Sequence, residues 1–132
     1  MAVISQSTKR SNFQLFSNTT FFVKFTFWIA CIVYGFLCLI PTAYLQSGLF
    51  NWWDKAQHVF AFFCLSNLGL LGYQKAVGRL AIGLLLYGGF IEILQWLTGW
   101  RSGELADWIA NGVGVFIGSA LMNRFIQKDQ RS

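Results

Sequence analysis

Charged residues are scarce in this sequence. They make up only 11% of its 132 residues, whereas a typical soluble domain has about 25%. Hydrophobic residues account for 55% and aromatic residues for 18%. A soluble chain of this length forms one small core, which cannot bury so many large apolar side chains. The composition therefore predicts a protein whose solvent is the lipid bilayer.

Several chemical motifs are also missing. The three cysteines, Cys31, Cys38 and Cys64, lie inside apolar stretches and form neither a disulfide framework nor a CxxC metal pair. We interpret them as small core residues. No basic run with interleaved aromatics is present, which argues against a nucleic-acid partner. The sequence has no GxSxG elbow, HExxH helix or phosphate loop, so it predicts no cofactor.

Four apolar segments are long enough to cross a bilayer, which requires about 20 helical residues. A cleaved leader is disfavoured for the first segment, because no small-x-small site follows it. The sequence thus predicts an all-α membrane bundle of four transmembrane helices in one domain, 21–125. Residues 1–20 are expected to form a polar N-terminal tail and residues 126–132 a basic C-terminal tail. The predicted spans are 21–40, 56–73, 80–100 and 106–125.

The basic residues predict the orientation, because cytoplasmic flanks retain Lys and Arg. Only Lys55 and Arg101 fall on the opposite side from the other eight. Both termini are therefore expected in the cytoplasm, in a multi-pass membrane protein. The site described next then faces the periplasm or the cell exterior. The eight cytoplasmic bases are Lys9, Arg10, Lys24, Lys75, Arg79, Arg124, Lys128 and Arg131.

Polar residues are expected to converge in the outer half of the membrane. They occur in pairs three or four residues apart, which share one face of a helix. Glycines accompany them and let neighbouring helices approach closely. Gly88 and Gly99 lie near the second pair, and Gly114 and Gly118 continue the face of the third. The pairs are Asp54 with His58, Glu92 with Gln95, and Asp107 with Asn111.

Glu92 is the most informative single residue, because it lies within the third predicted span. A carboxylate at that depth must be protonated, paired or open to a water-filled recess. Lys55, His58 and Arg101 are its predicted partners. The alternative is a buried pair that only fixes packing. A divalent cation held by Asp54, His58, Glu92 and Asp107 is a further alternative, but the spacing requires no metal.

These residues resemble the motif of the VanZ-like family, small bacterial membrane proteins named for a member linked to resistance against teicoplanin. The resemblance covers residues 53–118. It implies a bundle of transmembrane helices in the inner membrane of a bacterial cell envelope, with the motif residues toward the outer leaflet. It does not specify a reaction. The matching residues are Trp53-Asp54-Lys55, His58, Phe60, Glu92, Gln95, Arg101-Ser102, Asp107 and Asn111-Gly112.

The favoured hypothesis is a protein that binds or modulates a lipid-linked or cell-wall component. Lys55 and Arg101 would bind its phosphate or carboxylate. Gln95 and Asn111 would add hydrogen bonds, while Glu92 and Asp107 orient the two cations. Membrane lipids or a lipid-linked precursor are the expected partners, and the sequence leaves a homo-oligomer open.

Two other functions are open. In an intramembrane hydrolase or transferase, His58 would act as general acid or base, Asp54 would orient it, and Glu92 would carry a second proton. In a proton-coupled transporter, Glu92 would carry the proton. Transport ranks last, because four helices make a narrow bundle and the cytoplasmic half has few ionisable groups.

Overall fold

The computed structural model is a bundle of α-helices, which confirms the predicted all-α class. It describes residues 2–41, 50–100 and 103–129, with side chains for 18–41, 53–100 and 103–128. In these ranges there are four helices and no strand. The helices are α1 (Ala2–Leu39), α2 (Phe50–Gly72), α3 (Val77–Thr98) and α4 (Leu105–Asp129).

Three helices in the described ranges are long and apolar enough to cross a membrane. These segments are Asn18–Leu39, Val77–Thr98 and Leu105–Lys128. Helix α2 contains all but the last residue of the predicted span 56–73, but it does not belong to this group. Its sequence includes Asp54, Lys55, His58 and Asn67 among its apolar residues. The described residues therefore support a membrane protein through three helices rather than the predicted four.

Two helices extend into the predicted tails. Helix α1 begins at Ala2, although the first 20 residues are predicted to be a polar tail. This stretch contains neither glycine nor proline, so no residue in it interrupts a helix. Helix α4 likewise continues to Asp129.

Helix α2 lies at the centre of the bundle and makes its most extensive contacts with α4. Phe62 of α2 is completely buried. Large apolar side chains cover the outside of the bundle, as expected where lipid is the solvent. Cys31 and Cys38 are buried as predicted, whereas Cys64 is exposed, so its assignment to the core was wrong. The core consists of Phe27, Cys31, Phe62, Leu65, Leu84 and Val115.

Glycines allow α2 and α4 to pack closely, as the small-xxx-small pattern predicts. A Cβ atom at Gly114 would collide with the backbone carbonyl oxygen of Val59, and one at Gly118 would collide with Ser66. Gly99 acts differently from its prediction. Gly99 is the C-cap of α3 and has a φ of 74°. A Cβ atom added at Gly99 would have no neighbouring atom within 4 Å. Gly99 therefore ends α3 in the left-handed conformation instead of admitting a neighbouring helix.

The ends of the bundle differ in charge. At the end formed by the C-termini of α1 and α3 and the N-termini of α2 and α4 lie the described carboxylates Asp54, Glu92, Glu104 and Asp107. We call this the polar end. The opposite end, which we call the basic end, contains the described side chains Lys24, Lys75, Arg79, Arg124 and Lys128.

Candidate functional site

Most of the buried polar side chains lie at the polar end. Ser66 lies deeper in the bundle, between α2 and α4. Three helices thus contribute to one polar cluster, as the paired spacings predict. Its buried members are His58, Glu92, Gln95, Asp107 and Asn111.

His58 lies at the centre of this cluster and is 2% exposed. Its Nδ1 atom lies 2.9 Å from the hydroxyl oxygen of Tyr34 and 2.9 Å from Oδ1 of Asn111. An amide oxygen only accepts hydrogen bonds, so this contact requires a proton on Nδ1 and leaves Nε2 as the basic nitrogen. Exchanging the amide oxygen and nitrogen of Asn111 gives the other tautomer. The orientation of the Asn111 amide and the tautomer of His58 are therefore linked.

Two aspartates lie beside His58. One ligand atom each from Asp54, His58 and Asp107 lies within 4.8 Å of the other two. Asp54 is one helical turn before His58, and Asp107 comes from the first turn of α4. This set could hold a divalent cation or orient the imidazole for proton transfer. The ammonium group of Lys55 already supplies a positive charge here, since its Nζ lies 3.2 Å from Oδ1 of Asp107.

Lys55 connects the start of α2 to the start of α4. Its Nζ also lies 3.0 Å from Oε2 of Glu104. Hydrogen bonds to Glu104 and Asp107 raise the pKa of the Lys55 ammonium. Lys55 is predicted to bind a phosphate or carboxylate of a ligand, but here it contacts two carboxylates of the protein itself.

Glu92 connects α3 to the loop before α4. Its Oε2 accepts a hydrogen bond from the backbone N–H of Glu104 at 3.1 Å, and its Oε1 lies 4.0 Å from Nδ1 of His58. A Cβ atom at Gly103 would collide with the backbone carbonyl oxygen of Glu92. The loop can therefore approach α3 this closely only with glycine at that position. Arg101, another of the three predicted partners of Glu92, lies outside the described residues.

Gln95 links α3 to α1. Its Nε2 donates a hydrogen bond to the backbone carbonyl of Cys38 at 3.0 Å. Trp100 donates from Nε1 to the carbonyl of Leu39 at 3.3 Å. The Oε1 atom of Gln95 is buried and has no hydrogen-bond partner among the described residues. Gln95 therefore uses its donor to hold the helix ends together and retains an acceptor.

A recess of about 310 Å³ opens between α3 and α4 at the polar end. Its lining combines the side chains of Glu92 and Glu104 with those of Trp96 and Trp108. Trp108 donates a hydrogen bond to the backbone carbonyl of Leu85 at 2.9 Å, which fixes one wall. Indole rings favour the boundary between lipid tails and headgroups. The recess thus lies where a lipid headgroup can reach the Glu104 side chain, which is 42% exposed, whereas the Glu92 side chain is 9% exposed.

Sequence reasoning missed two members of the cluster. Tyr34 contacts His58 from α1, where it has no polar neighbour to pair with in sequence. A buried tyrosine hydroxyl usually requires a partner, and this was the available signal. Glu104 contacts Lys55 and Glu92. The sequence does not assign Glu104 to the site, because its role depends on how the loop folds.

A search with models of known protein families found no match to this chain. Comparisons with curated proteins and with solved structures also found none.

Proposed function

We propose that this chain is a VanZ-like integral protein of the bacterial inner membrane. It crosses the membrane four times, with both termini in the cytoplasm and the polar end facing the periplasm or exterior. Most of the described bases lie at one end and four of the five carboxylates at the other, which supports this orientation. Helix α2 crosses with its polar residues His58 and Ser66 turned inward, where they are 2% and 0% exposed. The neighbouring helices then shield these polar side chains of α2 from the lipid.

The polar end binds a lipid-linked or cell-wall component. The observation that carries this proposal is the recess between α3 and α4, whose lining includes two glutamates and two tryptophans. Ionised carboxylates accept hydrogen bonds. They therefore suit the hydroxyl, amide or ammonium groups of a glycan or peptide headgroup. Asn111 and Gln95 provide neutral groups behind them, and Arg101 is the residue proposed to contact a phosphate.

Glu92→Gln tests this function. The protein is reconstituted in nanodiscs, and binding is measured for an undecaprenyl-linked disaccharide-pentapeptide and for undecaprenyl phosphate alone. Hydrogen bonds to a charged group contribute about 1.5–3 kcal/mol, so we expect about 10- to 100-fold weaker binding of the first probe. Asp129→Asn, the same chemical change at the far end of α4, is the matched control. Binding by the Glu92→Gln variant equal to that of the control would contradict the proposal.

A second candidate function is an intramembrane hydrolase or transferase on the same class of substrate. The contacts of His58 Nδ1 with the hydroxyl of Tyr34 and with Oδ1 of Asn111, with two aspartates nearby, favour it. His58 acts as general acid or base, Asp54 orients it, and Glu92 carries a second proton. A wild-type protein that releases product while His58→Gln binds substrate without releasing product supports catalysis. Binding without product release by the wild type at several pH values leaves only the binding function.

The resemblance connects this function to glycopeptide tolerance. We expect that deleting the gene lowers the teicoplanin concentration that inhibits growth and that the wild-type chain restores it. A complementing chain with Glu92→Gln should fail to restore tolerance if the recess is responsible. Full restoration of tolerance by that variant would show that tolerance does not depend on the recess.

A further inference from the structure

A large groove lies between α1 and α3, on the membrane-facing side of the bundle and away from the polar cluster. Its volume is about 730 Å³, and its lining is mainly apolar. The groove exists because α1 and α3 contact each other over few residues. Gly83 lines it and has no atom within 4 Å of a Cβ position. Other lining residues are Phe27, Trp28, Ile32, Leu86 and Phe90.

The length of the groove corresponds to one leaflet. Along α3 its lining extends from Arg79 to Phe90, which is about 16 Å at the rise of an α-helix. The hydrocarbon core of a bilayer is about 30 Å thick, so one leaflet contributes about 15 Å. A single acyl chain lying along α3 therefore fits the groove from its mouth to the middle of the membrane.

The mouth of the groove is positively charged. Arg79 lines it, and Lys24 and Lys75 belong to the same basic end. Asp129 is the last residue of α4 at that end, and the side chains that the structure describes there include no carboxylate. Lys24 also lies 4.8 Å from the ring centroid of Tyr73, which lines the groove as well. A ligand with a negative charge at its head complements this mouth.

The N-terminus of α3 adds a second source of positive potential at the same place. Its N-cap residue, Ala76, provides no side-chain hydrogen bond and also lines the groove. The first hydrogen bond of the helix ladder is donated by the N–H of Leu80 to Ala76. The preceding N–H groups have no helical acceptor and carry the positive end of the helix dipole. Backbone donors and the Arg79 guanidinium thus occupy the same end of the groove.

We propose that this groove is a binding site for one anionic phospholipid. Its phosphate contacts Arg79 and the N-terminal N–H groups of α3, and one acyl chain lies between α1 and α3. This site is at the opposite end of the bundle from the recess, so it does not depend on the function proposed above.

Native mass spectrometry of the full chain tests the headgroup. The protein is loaded with equal amounts of dioleoyl phosphatidylglycerol and dioleoyl phosphatidylcholine, which share acyl chains. We expect wild-type protein to retain phosphatidylglycerol preferentially. A basic residue near the membrane surface contributes about 1 kcal/mol of lipid binding, which corresponds to about fivefold. Arg79→Gln should lose about that factor, whereas Arg124→Gln, an exposed arginine of α4 at the same end, should retain the preference.

Gly83→Leu tests the groove itself, because the added side chain occupies the space of the acyl chain without meeting another atom at Cβ. We expect it to abolish retention of both lipids, whereas Ala120→Leu on the exposed face of α4 leaves retention unchanged. Equal retention of both lipids by wild type, or equal losses in the two arginine variants, would overturn the proposal. A protein dimer that Gly83→Leu dissociates would also overturn it, since a second copy would then fill the groove.

Discussion

A methyl group at Gly114 tests whether the close packing of α2 against α4 builds the polar end. The added Cβ atom would collide with the carbonyl oxygen of Val59 and lie 2.9 Å from the backbone nitrogen of Phe63. Both obstacles are backbone atoms of α2, which cannot rotate away as a side chain can. Gly114→Ala must therefore push the two helices apart. His58 and Asn111, whose 2.9 Å contact joins the same helices, should separate with them.

The expected magnitude follows from two opposing effects. Inserting a methyl group into a packed interior costs about 1–3 kcal/mol. Replacing glycine by alanine within a helix gains about 1 kcal/mol. Gly83→Ala is the matched control, because its Cβ meets no atom within 4 Å. It should therefore gain helix stability without any cost of crowding. We expect Gly114→Ala to be less stable than Gly83→Ala by about 1–3 kcal/mol, since the helix gain is common to both variants.

Thermal unfolding of the purified variants in one detergent measures this difference. Gly114→Ala should unfold at a lower temperature than wild type, and Gly83→Ala at the same or a higher temperature. Loss of binding at the recess should accompany only the first variant. If Gly114→Ala is as stable as Gly83→Ala, then the close contact at Gly114 is wrong, and with it the geometry that joins His58 to Asn111.

Three further predictions concern other parts of the molecule. Lys55→Gln should destabilise the protein more than Glu104→Gln, as thermal unfolding of both variants would show. Lys55→Gln removes the cation beside the Asp107 side chain, which is only 5% exposed, whereas Glu104→Gln breaks a pair whose acid is 42% exposed. The raised pKa of Lys55 means that this stabilisation persists at neutral pH and is lost as pH rises through the folded-state pKa. A membrane-permeant maleimide should modify Cys64 before the two buried cysteines, as mass spectrometry of timed samples would show. A reporter fused after Ser132 should read cytoplasmic, and a periplasmic signal would reject the proposed orientation.

Local spacing predicted much of the polar end. Residues three or four apart share a helix face, and this placed Asp54 beside His58 before any tertiary structure was known. The same rule placed Asn111 on the inward face of α4, where it is fully buried. These predictions succeeded because a polar side chain in an apolar helix must face a partner. The sequence therefore predicts the inward face of a helix wherever that face carries polar residues.

Apolar residues gave no comparable guide. Phe60 is 68% exposed and Phe62 is completely buried, although both lie in the same apolar run of α2. Lipid tails are as apolar as the interior of a bundle, so hydropathy cannot distinguish the two faces. The groove between α1 and α3 was undetectable for the same reason. It depends on how far two apolar helices separate, which sequence periodicity does not encode.

The opposite charges of the two ends predict different ligand chemistry. Carboxylates at the recess accept hydrogen bonds, so the part of a ligand that enters it must present donors to Glu92 and Glu104. Arg79 and the α3 N-terminus attract a phosphate. Phosphatidylglycerol should therefore fail to displace an undecaprenyl-linked disaccharide-pentapeptide from the recess, even at concentrations that saturate the groove. Competition between the two lipids would mean that one site takes both, and the separation of charge along the bundle would then not determine what each end binds.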